Sequence, residues 1–164
     1  MAQAPSASGL VTIFGGSGFL GRHIVRALAK RGYRIRAACR RPDLAGHLQP
    51  LGVPGQVMPV QANVRYPASL AAACDGAYAV INLTGVLYSA GAQSFDAIHA
   101  FGAEASAKAA RAARARVFIQ MSAIGADPGS SAAFARSKAE GEARARAAFP
   151  GAIILRPSIV FGPE

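Results

Sequence analysis

Residues 10–31 read LVTIFGGSGFLGRHIVRALAKR, and this stretch decides the fold. Its first five residues are apolar and mostly β-branched, which predicts a buried strand. Its last part carries apolar residues at the spacing of one helix face. The glycines between these two parts are Gly15, Gly16, Gly18 and Gly21. A strand, a glycine-rich turn and a helix in that order predict a backbone pocket for nucleotide phosphates, at the positive end of the helix dipole.

The composition describes a folded domain of ordinary size. The 164 residues are 52% hydrophobic and 16% charged, which excludes an intrinsically disordered chain. No apolar run approaches the ~18 residues of a membrane span, and no secretory-signal pattern is present. Two cysteines, Cys39 and Cys74, are too few for a disulfide framework or a metal site. We expect no transmembrane segment, no metal, a cytoplasmic location and a disordered lead-in over residues 1–9.

The net charge of +10 needs a separate explanation, because 18 Lys and Arg residues face only 8 acids. Such an excess is compatible with nucleic acid, an anionic surface or an anionic ligand. The sequence carries neither a basic face interleaved with aromatic residues nor a nucleic-acid-reading motif. We therefore expect no nucleic-acid partner, and we interpret most of the arginines as solvated residues on helix surfaces.

Apolar runs and turn signals predict five further strands that alternate with helices. The predicted strands span residues 34–39, 56–60, 77–83, 116–121 and 152–155. The predicted helices span residues 43–48, with Asp43 as cap, 67–74 and 131–148, and a long helix starts at Ser94. This alternation predicts an α/β fold with a doubly wound parallel sheet in the order 3-2-1-4-5-6. A ligand then binds at the carboxyl ends of the strands.

Seven stretches of the sequence resemble the extended and atypical short-chain dehydrogenase/reductase superfamily, whose members include epimerase/dehydratase-like proteins. The stretches are GGSGFLG, ANVRYPASL, NLTGVLY, FDAIHAFGAEASAKAA, MSAIGADP, ARSKAEGE and LRPSIVFGPE. Within the superfamily the likeness is greatest to the nucleotide-binding accessory subunit of respiratory complex I and its bacterial relatives. The resemblance implies an NAD(P)-binding Rossmann domain over residues 10–164. Because family members continue into a small substrate domain, we expect this one to be truncated at its C-terminal end.

The resemblance also implies which residues hold the dinucleotide. They are Gly15, Ser17, Gly18, Phe19, Leu20, Asn63, Val64, Leu83, Thr84, Gly85 and Lys138. Of these, Asn63 and Val64 should flank the adenine. An NAD-preferring site places an acid after the second strand, but this sequence has Arg40 and Arg41 there. Guanidinium groups bind a 2′-phosphate, so NADP(H) is the preferred cofactor and NAD(H) the alternative. The other interpretation is that one of these arginines only faces solvent.

The catalytic residues of the superfamily are matched only in part. Active members carry Tyr-x-x-x-Lys, with a serine after the fifth strand. Ser122 and Lys138 match the serine and the lysine, but Phe134 stands at the tyrosine position. Phenylalanine has no proton to exchange, and losing a positioned acid costs ~10²–10⁴ in rate. We interpret Lys138 as a ribose ligand, and His99 as a packing or supporting residue in preference to a base.

Three functions remain open at this point. The first is an accessory protein that binds NADPH with little or no conventional catalysis. Its partner would be respiratory complex I or another protein, and its location would then include the periphery of the inner membrane. The second is an atypical NAD(P)-dependent oxidoreductase or epimerase that acts on a small or lipid-like substrate, with Ser122, Lys138 or Tyr88 in catalysis. The third is a sensor of nucleotide state.

Overall fold

The computed structural model describes residues 9–91 and 93–163, so the predicted lead-in lies outside the described residues except for Gly9. Strands and helices alternate in it. The strands are β1 (Leu10–Phe14), β2 (Arg34–Cys39), β3 (Val57–Gln61), β4 (Ala79–Asn82), β5 (Val117–Met121) and β6 (Ile153–Leu155). The helices are α1 (Phe19–Ala29), α2 (Pro67–Cys74), α3 (Phe101–Ala112) and α4 (Ala133–Ala148).

The six strands form one parallel sheet in the order β3-β2-β1-β4-β5-β6, which confirms the predicted topology. The order reverses between β1 and β4, which lie side by side with Phe14 opposite Asn82. Their connections leave the sheet in opposite directions at this point. A crevice therefore opens outside their carboxyl ends, where ligands bind in this architecture.

Side chains alternate between the two faces of the sheet and build a core on each. One core packs Phe14, Val80 and Phe118 against α2, α3 and α4. The other packs Ile13, Ile35 and Ile81 against α1 and the segment that precedes β3. Helices thus cover both faces, as the doubly wound prediction requires. Among the residues that the structure describes, no helix combines the length and the apolar character needed to cross a bilayer.

Two predicted helices differ from the structure. The helix predicted over residues 43–48 is wrong: two 3-10 segments, Pro42–Leu44 and Gly46–Leu51, occupy this region. Pro50 has no N–H to donate within a longer helix, and Asp43 pairs with Arg41 instead of capping. The long helix predicted from Ser94 contains a π-helical turn, Asp96–Ala100, before α3.

Candidate functional site

The glycine-rich turn joins β1 to α1 with its backbone exposed to the crevice. Gly15 has φ +77°, a conformation that favours glycine. A β-carbon on Gly21 would collide with the carbonyl oxygens of Gly15 and Gly16, so α1 starts close against the turn only because Gly21 lacks one. No side chain caps α1, and its first turn contains no acid. The first N–H groups of α1, at Phe19 and Leu20, therefore suit an anion.

A cleft of about 270 Å³ opens in front of this turn. Most of the predicted cofactor residues line it: Gly15, Ser17, Gly18, Arg40, Asn63, Val64, Leu83, Thr84 and Gly85. Val86, Gln93 and Ile98 also line it, and Gln93 and Ile98 had no role in the sequence-based prediction. Backbone donors at one end and apolar walls at the other fit a dinucleotide, whose pyrophosphate needs the first and whose adenine needs the second.

The two arginines after β2 take different positions. Arg40 lines the cleft and donates from Nη1 to Oε1 of Gln93 at 2.9 Å, across the cleft mouth. Arg41 faces a neighbouring cavity of about 450 Å³, which Ser17, Arg40, Leu44 and His47 also line. Its Nη2 lies 2.6 Å from Oδ2 of Asp43. The charge of Arg41 is thus partly compensated within the chain, whereas Arg40 donates to a neutral amide.

His99 connects the π-helical turn to the wall of the cleft. Its Nε2 accepts a hydrogen bond from the backbone N–H of Val86 at 3.0 Å. Its Nδ1 lies 2.9 Å from Oγ of Ser137, whose own hydroxyl donates to the Phe134 carbonyl at 2.7 Å. Ser137 therefore accepts from Nδ1, and the ring is neutral. Burial, together with the charge of Lys138, lowers the pKa of His99 to about 4.

Phe134 and Lys138 lie one helical turn apart on α4, close to the His99 ring. The Phe134 ring packs edge-on against His99 at 5.4 Å and Phe95 at 5.9 Å. The Lys138 Nζ lies 5.6 Å from the centre of the Phe134 ring. A β-carbon on Gly85 would be 3.3 Å from this Nζ, so Lys138 stands directly behind the cleft wall. Burial lowers the pKa of Lys138 to about 8, although the charge of Glu142 opposes this shift.

Ser122 follows β5 but does not point freely into the cleft. Its hydroxyl donates to Oε1 of Glu142 at 2.5 Å, and Arg156 donates to both oxygens of the same carboxylate at 2.8 and 2.6 Å. Burial raises the pKa of Glu142, but the bonds from Arg156 and Ser122 outweigh it and hold the pKa below its ordinary value. The network ties α4 to the residues that follow β5 and β6. The role of Ser122 in catalysis stays a prediction.

The comparisons with known proteins agree with this geometry. The family model described as NAD(P)H-binding matches residues 15–150. The chain belongs to this NAD(P)H-binding family. Over 161 residues it is 39% identical to a ceramide reductase of Caulobacter vibrioides, covering 98% of this chain and 49% of that protein. Over 153 residues it is 35% identical to the 40 kDa subunit of NADH-ubiquinone oxidoreductase of Neurospora crassa, covering 93% and 41%.

The solved structures extend the likeness in fold. An epimerase/dehydratase-like protein of Bacillus halodurans superposes with a TM-score of 0.80 at 20% identity, covering 96% of this chain and 73% of that one. The NAD(P)-binding prediction is thereby confirmed, as is the similarity to complex I subunits, and the fold is shared with the epimerase/dehydratase-like structure. The chain spans about half the length of the curated relatives that it matches.

Proposed function

We propose that this domain binds NADPH and has little or no conventional dehydrogenase activity, in the manner of a complex I accessory subunit. The observation that carries the proposal is the combination of an uncapped glycine turn with Arg40 at the mouth of the cleft and Phe134 on α4. The relatives named as complex I subunits support respiratory complex I as the partner, at the periphery of the inner membrane.

Each residue has a defined part in this proposal. The backbone of the glycine turn and the start of α1 hold the pyrophosphate. Arg40 exchanges the Gln93 amide for the 2′-phosphate, which is a stronger, charged acceptor. Lys138, whose Nζ lies close to Gly85, hydrogen-bonds the nicotinamide ribose. The nicotinamide would supply hydride, but Phe134 has no proton to give to a carbonyl oxygen.

The NADPH preference is tested by Arg40→Ala, with Arg34→Ala as the matched control. Arg34 is exposed at the opposite end of the same strand. Because hydrogen bonds to charged groups contribute about 1.5–3 kcal/mol, Arg40→Ala should weaken NADPH about tenfold or more and leave NADH nearly unchanged. Titration calorimetry measures both cofactors. Equal losses for the two would show that Arg40 supplies only a general positive potential.

The absence of conventional catalysis is tested by carbonyl reduction with NADPH. We expect the unmodified protein to show little turnover of simple ketones. Phe134→Tyr would place a phenol one helical turn from Lys138, whose charge lowers a phenol pKa, so activity should rise. Phe134→Leu is the control, because it also alters packing but supplies no acid. Fast turnover by the unmodified protein would contradict the proposal, since another group would then donate the proton.

A second candidate is an atypical reductase of a lipid-like carbonyl compound. The identity of 39% with the protein named ceramide reductase favours it. NADPH oxidation in the presence of an oxo form of a ceramide distinguishes it from the first proposal. A sensor of nucleotide state remains the third candidate, and it predicts that partner binding differs between oxidised and reduced cofactor.

A further inference from the structure

A second basic cavity lies outside the dinucleotide cleft, between α1 and the 3-10 segment Gly46–Leu51. Its volume is about 290 Å³. The residues that line it are Arg22, His23, Arg26, His47, Leu51 and Pro163. Four of the six carry a guanidinium or an imidazole group, and none carries a carboxylate. Donors thus face this cavity without the acids that neutralise basic clusters elsewhere on the protein.

Arg22, which lines the cavity, has a side-chain nitrogen without a hydrogen-bond partner. Its Nε is buried and has no hydrogen-bond partner, the single such side-chain atom in the part of the chain that the structure describes. Buried donors in native proteins are almost always paired. Arg26 lies four residues further along α1, so both guanidinium groups share one helix face. Neither forms an ion pair with any of the described acids.

The two histidines are oriented by contacts that leave one edge of each ring uncommitted. Nδ1 of His47 lies 3.3 Å from the Leu44 carbonyl oxygen, so its Nε2 remains available. The His23 ring packs against Phe19 with centroids 5.4 Å apart and nearly perpendicular planes. His47 also lines the cavity beside Arg41, so the two basic cavities adjoin.

We propose that this cavity binds the phosphate group of a second anionic ligand while the dinucleotide occupies the cleft. A phosphate offers several acceptor oxygens to the two guanidinium groups and two imidazole rings of this cavity, and guanidinium groups bind phosphate through paired, charge-assisted hydrogen bonds. The phosphate belongs to a soluble ester or to a lipid head group, and the experiment separates these two sources.

The first arm titrates inorganic phosphate into ¹⁵N-labelled protein at constant ionic strength, balanced with sodium chloride. The Nε–H signal of Arg22 should shift along a saturable curve. Arg26→Gln should weaken the apparent affinity about tenfold, because it removes charge-assisted hydrogen bonds. Arg26 is exposed, so the substitution leaves the core intact. Arg116→Gln is the matched control, since Arg116 is also exposed but lies just before β5, away from α1.

Three results would overturn the proposal. The first is an equal shift of the Arg22 Nε–H signal when sodium chloride alone is added. The second is an equal loss of phosphate affinity in Arg26→Gln and Arg116→Gln. The third is loss of the phosphate response at saturating NADPH, since the cavity would then be part of the cofactor site. Failure of the proposed function has a different signature. Arg40→Ala would leave NADPH affinity unchanged, while phosphate would still shift the Arg22 signal.

The second arm identifies the source with vesicles of phosphatidylcholine, with and without phosphatidylglycerol. A lipid head group is supported if the protein co-sediments with the anionic vesicles, and if Arg26→Gln reduces this co-sedimentation while Arg116→Gln does not. Equal co-sedimentation of the two variants, together with saturable phosphate binding in the first arm, supports a soluble phosphate ester. If Arg26→Gln changes neither phosphate binding nor co-sedimentation, the proposal is wrong.

Discussion

Each ring nitrogen of His99 has one partner of a fixed kind, which makes this residue sensitive to protonation. Nε2 must accept from Val86, and Nδ1 must donate to Ser137. A proton on Nε2 would point at the N–H of Val86, so that two donors would face each other. It would also add a positive charge beside Lys138. The wall of the cleft at Gly85 and Val86 therefore depends on a neutral imidazole.

The unfolding free energy should fall as the pH is lowered from 6.5 to 5, because of His99. Its pKa is lowered to about 4 in the folded protein from an ordinary value of 6.5, so the unfolded chain binds more protons in this range. The loss should reach about 2 kcal/mol at pH 5. Urea unfolding at several pH values measures it. His99→Gln can place an amide oxygen near the Nε2 position as an acceptor for Val86 but does not titrate, so this variant should lose most of the slope.

Gly18→Val should abolish dinucleotide binding without unfolding the domain. Gly18 has φ −77°, which a branched residue tolerates, and a β-carbon there meets only the Gly15 carbonyl, at 3.3 Å. The added side chain would occupy the space of the pyrophosphate and weaken binding by more than about 100-fold, or roughly 3 kcal/mol. Gly129→Val, in an exposed loop, is the control. Retained affinity in a folded Gly18→Val would exclude the glycine turn from the site.

The sequence predicted individual residues of the cleft where a local motif exposes the backbone to the ligand, as it does at Gly15 and Gly18. The network of Ser122, Glu142 and Arg156 could not, because its members are 14 and 20 residues apart and meet only after α4 packs. Its one local signal was the position of Glu142, four residues after Lys138 and so on the same helix face. Gln93 reaches Arg40 over 53 residues, and no motif marked it.

At the scale of elements, α4 lies against the π-helical turn with almost no space between the two backbones. A β-carbon on Gly141 would collide with the carbonyl oxygen of His99. This approach lets Ser137 and Lys138 reach the ring and the cleft wall. It also explains why a glycine is tolerated in the middle of a helix, where it ordinarily costs about 1 kcal/mol relative to alanine.

Gly141→Ala should therefore destabilise the protein, although the same change in an open helix would stabilise it. We expect the unfolding free energy to fall by roughly 2 kcal/mol, because α4 must move away from the turn. Chemical denaturation measures the change. Gly129→Ala, placed in an exposed loop, should have a much smaller effect. A gain in stability for Gly141→Ala would mean that the two backbones are further apart than described.

The strands were predictable because apolar runs and turn residues are local signals. β1, β2 and α2 have the predicted bounds, and the remaining strands differ by one or two residues at their ends. The π-helical turn was not predictable, since the apolar residues at 95, 98, 101 and 105 are three or four apart, a spacing that also fits an uninterrupted α-helix. The 3-10 segments before β3 were predicted as one helix because Asp43 was interpreted as its cap, whereas its carboxylate pairs with Arg41.

At the scale of the whole molecule, large apolar side chains in β6 and in the segments after β5 and β6 are exposed. Helices cover both faces elsewhere, but several large side chains here face solvent. They are Ile124, Ile153, Leu155, Ile159 and Phe161, with exposed fractions from 43% to 88%. Exposed apolar surface of this kind commonly contacts another protein surface.

We expect the 164-residue chain to self-associate through this surface. Light scattering after size exclusion should show a mass that rises with concentration. Ile159→Ser combined with Phe161→Ser should reduce the association without affecting the fold, because both side chains are almost fully exposed. Leu44→Ser, also exposed but before β3, is the control. A monomer at high concentration would contradict this prediction.

The π-helical turn also restricts which insertions and deletions the gene can tolerate. Deleting one codon within Asp96–Ala100 would allow an uninterrupted α-helix, a change that is usually mild on a protein surface. Here it would rotate the preceding residues by about 100° relative to α3, because an α-helix has 3.6 residues per turn. Residues before the deletion would lose their places against α4 and the cleft wall. A deletion scan should therefore find this turn far less tolerant than the loop at residues 127–131.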